Sequence, residues 1–319
     1  MKLKRFYSPT SGMEVWKSFD GTNWEVTADP GFGSRQNSSG RGLAAFNGYL
    51  YVGSENRRDG GQVWRRKLSP NGDFEEDSEW EMVIDKGIDT TNNYWFSDFT
   101  VHNIGTEEYL YAGTWNRNSG GELWRSNDGE NWEVLFRNGN GNPKDWAIMK
   151  LYSYNDRLYL GTMNWNTGAA LLVSTDITAT KFTYAWIDGN GNPENAYTWY
   201  IIDYNDRLYV STFHTGGNNE FDLYSSETPE TGDFDIETLD AFGIAPDMYG
   251  IRCMVVYDDK LLMGGAARNV PTKVFEAEPK TLPPPTPSPV TTVEPTSQID
   301  DPIPVIIPGP GSSTDFFSD

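Results

Sequence analysis

Two arginines, Arg41 and Arg252, stand in the same phase of two short apolar runs, each five residues before an aromatic, Phe46 and Tyr257. Paired guanidiniums suit bidentate recognition of a carboxylate, so these two could hold an acidic ligand. The matching positions of two further runs are Met149 and Trp199, so the run itself does not demand arginine. A second set lies in stretches rich in Asn, Gly and Trp: Trp115 with Asn116, Trp165 with Asn166, and His214. Exposed aromatic faces meet the C–H groups of sugar rings, and amides meet their hydroxyls. Glycosidic hydrolysis would require two carboxylates roughly 5–10 Å apart. Asp98 and Asp203 are the candidates, and the shortage of others in the apolar runs favours binding over catalysis. Asn/Asp-rich loops also admit calcium, which prefers oxygen ligands. No D-x-D-x-D-G loop is present, and Asp203, Asp206, Asp258 and Asp259 read as turn caps. No cofactor is expected. With one cysteine (Cys253) and two histidines, the chain forms no internal disulfide and no Cys/His zinc cluster.

The elements that must position these residues are repeated. "NGYLYVGS" (47–54), "EEYLYAGT" (107–114), "NDRLYLGT" (155–162), "NDRLYVST" (205–212) and "DDKLLMGG" (258–265) recur with a period of about 50 residues. Between them fall "GMEVWKS" (12–18), "GGQVWRR" (60–66), "GGELWRS" (120–126), "GAALLVS" (168–174) and "EFDLYSS" (220–226). Each unit reads as four short strands, a to d, with Asn-Gly or Asn-Asp turns between a and b. Alternating aromatic and β-branched residues support strands, and no helical period is visible. Four-stranded units at this spacing predict an all-β β-propeller over residues 1–278. The counts of a–b and c–d pairs predict five blades, with the N-terminal c–d pair (14–26) closing the ring on the last a–b pair (251–264); the alternative is a piece of a larger propeller with six or more blades.

The c–d turns repeat too. "SFDGTNWEV" (18–26) and "SNDGENWEV" (126–134) share S-x-D-G-x-x-W. Ser18, Asp20, Gly21 and Trp24, and likewise Ser126, Asp128, Gly129 and Trp132, read as a folding device. Ser and Asp accept turn N–H groups, Gly supplies positive φ, and Trp packs back. "STDITATKFTYAW" (174–186) keeps Ser and Asp without the Gly. These motifs resemble the Asp-box, or BNR-type, repeats of sialidases and of archaeal and bacterial cell-surface propellers, over residues 12 to about 277. The resemblance implies the propeller fold. Its sialidase members would bring an arginine triad, an acidic acid/base residue, a Tyr–Glu nucleophile pair and an Arg-Ile-Pro motif, and this chain has no Arg-Ile-Pro.

The formal charge of −21 opposes nucleic acid and anionic membranes as partners. No apolar run approaches ~20 residues, so no membrane insertion is expected. Residues 279–319 hold eleven of the nineteen prolines and read as a disordered Pro/Thr-rich stalk or tail. With the sequon Asn37-Ser38-Ser39, this places the chain outside the cell or on its surface, although no signal peptide is seen. The reading is a monomeric, non-enzymatic binding module for a glycan or surface protein. The alternative is a glycoside hydrolase acting on an acidic sugar.

Overall fold

The computed structural model describes residues 11–215, 221–238, 248–267 and 271–277. The proline-rich tail lies outside the described residues. The described chain is all-β, with short 3₁₀ turns only. It forms four consecutive four-stranded antiparallel sheets and a fifth of three strands. The first holds β3 (Ser39–Phe46), β4 (Tyr49–Glu55), β5 (Val63–Lys67) and β6 (Glu81–Ile84). The second holds β7 (Trp95–Ile104), β8 (Glu107–Trp115), β9 (Leu123–Ser126) and β10 (Glu133–Phe136). The third is β11 (Ala147–Tyr154), β12 (Arg157–Met163), β13 (Leu171–Ser174) and β14 (Phe182–Trp186). The fourth is β15 (Asn195–Tyr204), β16 (Arg207–His214), β17 (Leu223–Ser226) and β18 (Asp235–Thr238). The fifth is β19 (Met248–Tyr257), β20 (Lys260–Ala267) and β21 (Val274–Ala277).

Consecutive sheets touch through one bridging pair each: Glu55 with Trp95, Trp115 with Ala147, Met163 with Tyr197, and Phe213 with Gly250. The core lies between sheets. Tyr111 and Leu123 of the second pack with Ile148, Leu158 and Leu160 of the third. Tyr159, Leu171 and Trp186 of the third pack with Ile201, Leu208 and Val210 of the fourth. Each buried aliphatic or aromatic side chain contributes about 1.5–3 kcal/mol by leaving water. The glycine ending each "LYxG" run is what lets the sheets approach. A Cβ on Gly53, Gly113 or Gly161 would come within 2.7 Å of Phe96, 2.5 Å of Ile148 or 2.6 Å of Thr198 in the next sheet. In the fourth sheet Ser211 takes this place and donates to the Ile251 carbonyl at 2.9 Å.

The predicted closure is corrected. β1 (Trp16–Lys17) and β2 (Glu25–Val26) pair only with each other among the described residues. The edge of β20 is taken by β21, with Gly264 opposite Val274. β21 therefore supplies strand c of the fifth sheet, and 14–26 does not complete it. The hairpin instead repeats the c–d half of a unit ahead of the first sheet. Gly31 N–H donates to the Met13 carbonyl at 2.6 Å, as Gly87 does to Gly61 and Gly139 does to Gly121. Met13 and Val15 then pack on Val52 of β4.

Candidate functional site

Every first strand carries a β-bulge near its start. The pairing registers of β3, β7, β11, β15 and β19 slip between Gly40 and Leu43, Phe96 and Asp98, Ile148 and Lys150, Thr198 and Tyr200, and Ile251 and Cys253. The unpaired residues are Arg41 (with Gly42), Ser97, Met149, Trp199 and Arg252. All of these line one cavity of about 390 Å³. A bulge re-aims a side chain out of the ladder, so one local irregularity, made five times, builds a single site. Asp98, Lys150 and Tyr200 follow the bulges and also line it, with Glu14 and Trp16 of the N-terminal hairpin at one side.

Among the described residues, three cations and two carboxylates line the cavity. The Arg41 guanidinium lies over the Trp95 ring at 4.4 Å and Arg252 over Trp199 at 5.2 Å. Each ring face attracts the cation and holds the plane in place. Lys150 pairs with Asp98 at 3.0 Å and sits 4.9 Å from the Tyr200 ring centre. Burial alone would lower the Lys150 pKa, but Asp98 and Tyr200 hold it above the ordinary lysine value. Asp98 Oδ2 also accepts the Leu151 N–H at 2.8 Å. Glu14 Oε2 accepts Trp16 Nε1–H at 2.9 Å. A hydrophobic cluster adjoins the cavity: the aromatics Trp95, Trp115, Tyr197, Trp199 and Phe213 are buried together with Met149.

The sequence-predicted residues divide. Arg41 and Arg252 do share one cavity, and Asp98 joins them. Asp203 does not: it lies at an a–b turn, accepting the Tyr152 hydroxyl, in a different hollow. Trp115 is 4% exposed and stacks on Trp95 at 5.0 Å, so it is core and does not present a ring to ligand. Asn116 is fully buried, and its amide donates to Asn93 while its oxygen holds the Asn118 and Ser119 N–H groups. That side chain builds its loop. Trp165 is 47% exposed, against the edges of Tyr197 and Phe213, with Asn166 exposed beside it. Neither lines the cavity. His214 is buried, with Nε2 taking the Asn192 amide at 2.8 Å and Nδ1 facing Glu194 at 3.6 Å. The sequon at Asn37 is also corrected, because its amide is buried and donates to Gly31 and Gln62. Among the described residues no group of three or more His, Cys, Asp or Glu is placed to hold a metal ion.

The S-x-D-G turns have the expected bonding. Ser126 Oγ accepts Gly129 N–H at 2.7 Å, and Asp128 Oδ1 accepts Glu130 and Asn131 N–H at 2.8 and 2.7 Å. The turn at Ser18 and Asp20 repeats this, with Gly21 N–H to Ser18 Oγ at 2.8 Å. Gly21 and Gly129 have φ of 74° and 78°. Trp132 packs near Phe99, and half-buried Trp24 donates to the Gly21 carbonyl. These donors hold the Asp20 and Asp128 carboxyls well below the usual carboxylate range.

Glu14, Trp16, Lys150 and Tyr200 escaped the sequence reading. The phase that links Arg41 to Arg252 would have reached Lys150 and Tyr200, each one residue past a bulge.

No protein-family model matches the sequence, and no curated relative does. Solved structures give a distant likeness. Trypanosoma rangeli sialidase bound to sialic acid is 12% identical with TM-score 0.44, over 83% of this chain and 49% of that one. An exo-β-1,3-galactanase from Phanerochaete chrysosporium is 11% identical with TM-score 0.46, over 82% and 60%. A GH43 β-1,3-galactosidase is 10% identical with TM-score 0.44, over 80% and 90%. This chain thus spans about half the length of the sialidase. Likeness at this level carries no argument about this chain's activity. No helix among the described residues is long and apolar enough to cross a membrane.

Proposed function

We propose that this chain is a β-propeller module acting outside the cell, whose cavity at the five bulged strands binds a saccharide bearing a carboxylate. One observation carries the reading: a chain of net charge −21 brings Arg41, Lys150 and Arg252 from three separate sheets to one cavity. Lys150 is ion-paired with the cavity carboxylate Asp98. The arginines are braced by indole faces, and Trp16, Trp199 and Tyr200 supply aromatic wall for a sugar ring. A charge-assisted bond contributes about 1.5–3 kcal/mol, so each arginine sets affinity by tenfold or more. The Pro/Thr-rich composition of 279–319 supports display at a surface.

Hydrolysis is a second reading, favoured by two carboxylates, Asp98 and Glu14, on the walls of the same cavity. Calorimetric titration with glucuronic, galacturonic and N-acetylneuraminic acids, beside galactose as the neutral control, tests the first reading. Binding of an acid that Arg41→Ala and Arg252→Ala each weaken at least tenfold is expected. Equal binding of galactose, or unchanged binding in both variants, removes it. Release of chromophore from an acidic aryl glycoside, abolished by Asp98→Asn or Glu14→Gln, would establish the second.

A further inference from the structure

Four sheets are preceded by the same buried fixture. Asn37, Asn93, Asp145 and Asn195 each sit against a glycine of the turn before them: Gly31, Gly87, Gly139 and Gly189. A Cβ added to those glycines would meet the Asn or Asp Cβ at 3.6, 3.1, 2.9 and 3.0 Å, so the four are placed alike. In three of them the side-chain amide N–H donates to the glycine carbonyl, at 2.9, 3.2 and 2.9 Å. The same amide donates to an acceptor just ahead of strand c: Gln62 at 2.7 Å, Glu122 at 2.7 Å or Asp222 at 2.8 Å.

The third sheet departs at both places. Asp145 stands where the others have asparagine, and Ala170 stands where the others have the acceptor. Asp145 keeps the accepting half of the fixture. Its Oδ1 takes the Asn164 amide at 3.0 Å, as Asn37 takes Asn56 at 3.1 Å and Asn93 takes Asn116 at 3.0 Å. Its Oδ2 falls where the others have the donating nitrogen. That oxygen is buried and has no hydrogen-bond partner, and the residue is fully buried. As a carboxylate it would set one acceptor against the Gly139 carbonyl, which is costly away from water.

We infer that the fold holds Asp145 as a neutral carboxylic acid, its Oδ2–H donating to the Gly139 carbonyl in place of the asparagine amide, and that ionisation loosens the Trp165 loop. The link to that loop is Asn164. Its oxygen accepts the Asn166 and Thr167 N–H groups at 2.9 and 3.1 Å, while its amide hangs on Asp145. Burial, the largest influence, pushes the Asp145 carboxyl up to about 6, against the nearby Asn164, Thr162 and Asn142 side chains, which favour the charged form. The ionisable groups facing it are Asp188, whose charge adds to the upward push, and Tyr184, whose hydroxyl reaches the Gly139 carbonyl at 3.5 Å. The folded value exceeds the ordinary 3.8, so the stabilisation is complete below about pH 4 and is lost as pH rises through about 6.

The test is a carboxyl ¹³C NMR titration of the whole chain from about pH 4 to pH 8, with Asp145→Asn beside it. One aspartate signal titrating near pH 6 in the wild type, and missing in Asp145→Asn, is expected. Asn166 and Thr167 amides should exchange faster above that pH in the wild type, after correction for intrinsic rates, and not in the variant. Asp145→Asn, which restores the residue of the other sheets, should lose less melting temperature than the wild type between pH 5 and pH 7.5. If every aspartate of the wild type titrates below about pH 5, the inference fails whether or not the variant folds.

Discussion

The bulged positions and the c–d turns answer the repeat in opposite ways. The turns at 18–24 and 126–132 keep the same residues in the same bonds: Ser to Gly N–H, and Asp to the next two N–H groups. The bulges keep the same backbone and change the residue, through Arg41, Ser97, Met149, Trp199 and Arg252. Where geometry and residue repeat together, the residue makes the geometry. Where geometry repeats and the residue varies, the backbone is a mount and the side chain is left for recognition.

The sharpest break of this contrast lies in the turns. Gly129 has φ of 78°, and a Cβ there would lie 1.8 Å from the Tyr51 hydroxyl of the neighbouring sheet. Tyr51 is fully buried and has little room to move. Gly129→Ala should destabilise by about 3 kcal/mol or more, measured by urea unfolding. Asp128→Ala comes next, at about 0.5–1.5 kcal/mol, because it removes the shared acceptor of the exposed Glu130 and Asn131 N–H groups. The Asp128 carboxyl is held below its ordinary value by Asn131 and backbone N–H groups. Its contribution is therefore present above about pH 4 and lost as pH falls, so wild type and variant should converge in acid. Neither change should alter ligand affinity. The smallest effect on stability belongs to the cavity. Arg252 is exposed, so Arg252→Ala should move unfolding by no more than about 0.5 kcal/mol. A loss of several kcal/mol there would make the bulge residue a structural one and erase the contrast.

The same division explains what was legible in the sequence. Strand units, hairpin turns and S-x-D-G bonding follow from local rules and are found among the described residues, with four strands described in four of the five sheets. The phase shared by Arg41 and Arg252 also follows, because a repeat maps one position onto another. What did not follow depends on which edge or face tertiary packing leaves free. The strand at 274–277 reaches β20 first, so the hairpin at 14–26 stays apart. Trp115 and Asn116 read as a surface pair from composition. The adjacent strand of its own sheet stacks one on Trp95, and the loop consumes the amide of the other. Glu14 joins the cavity only because its hairpin packs beside β3 and β4, a long-range contact with no local signal.

Methionine methyl NMR tests the central claim most directly. Of the eight methionines, Met13 and Met149 line the cavity, whereas Met82 is exposed on an outer strand. On titration with the uronic or sialic acid that calorimetry selects, Met149 and Met13 should shift in saturable fashion with one dissociation constant, and Met82 should not. Loss of those shifts in Arg252→Ala should accompany loss of binding heat. Saturable binding that leaves Met13 and Met149 still, or that moves Met82 instead, would place the ligand elsewhere and contradict the account.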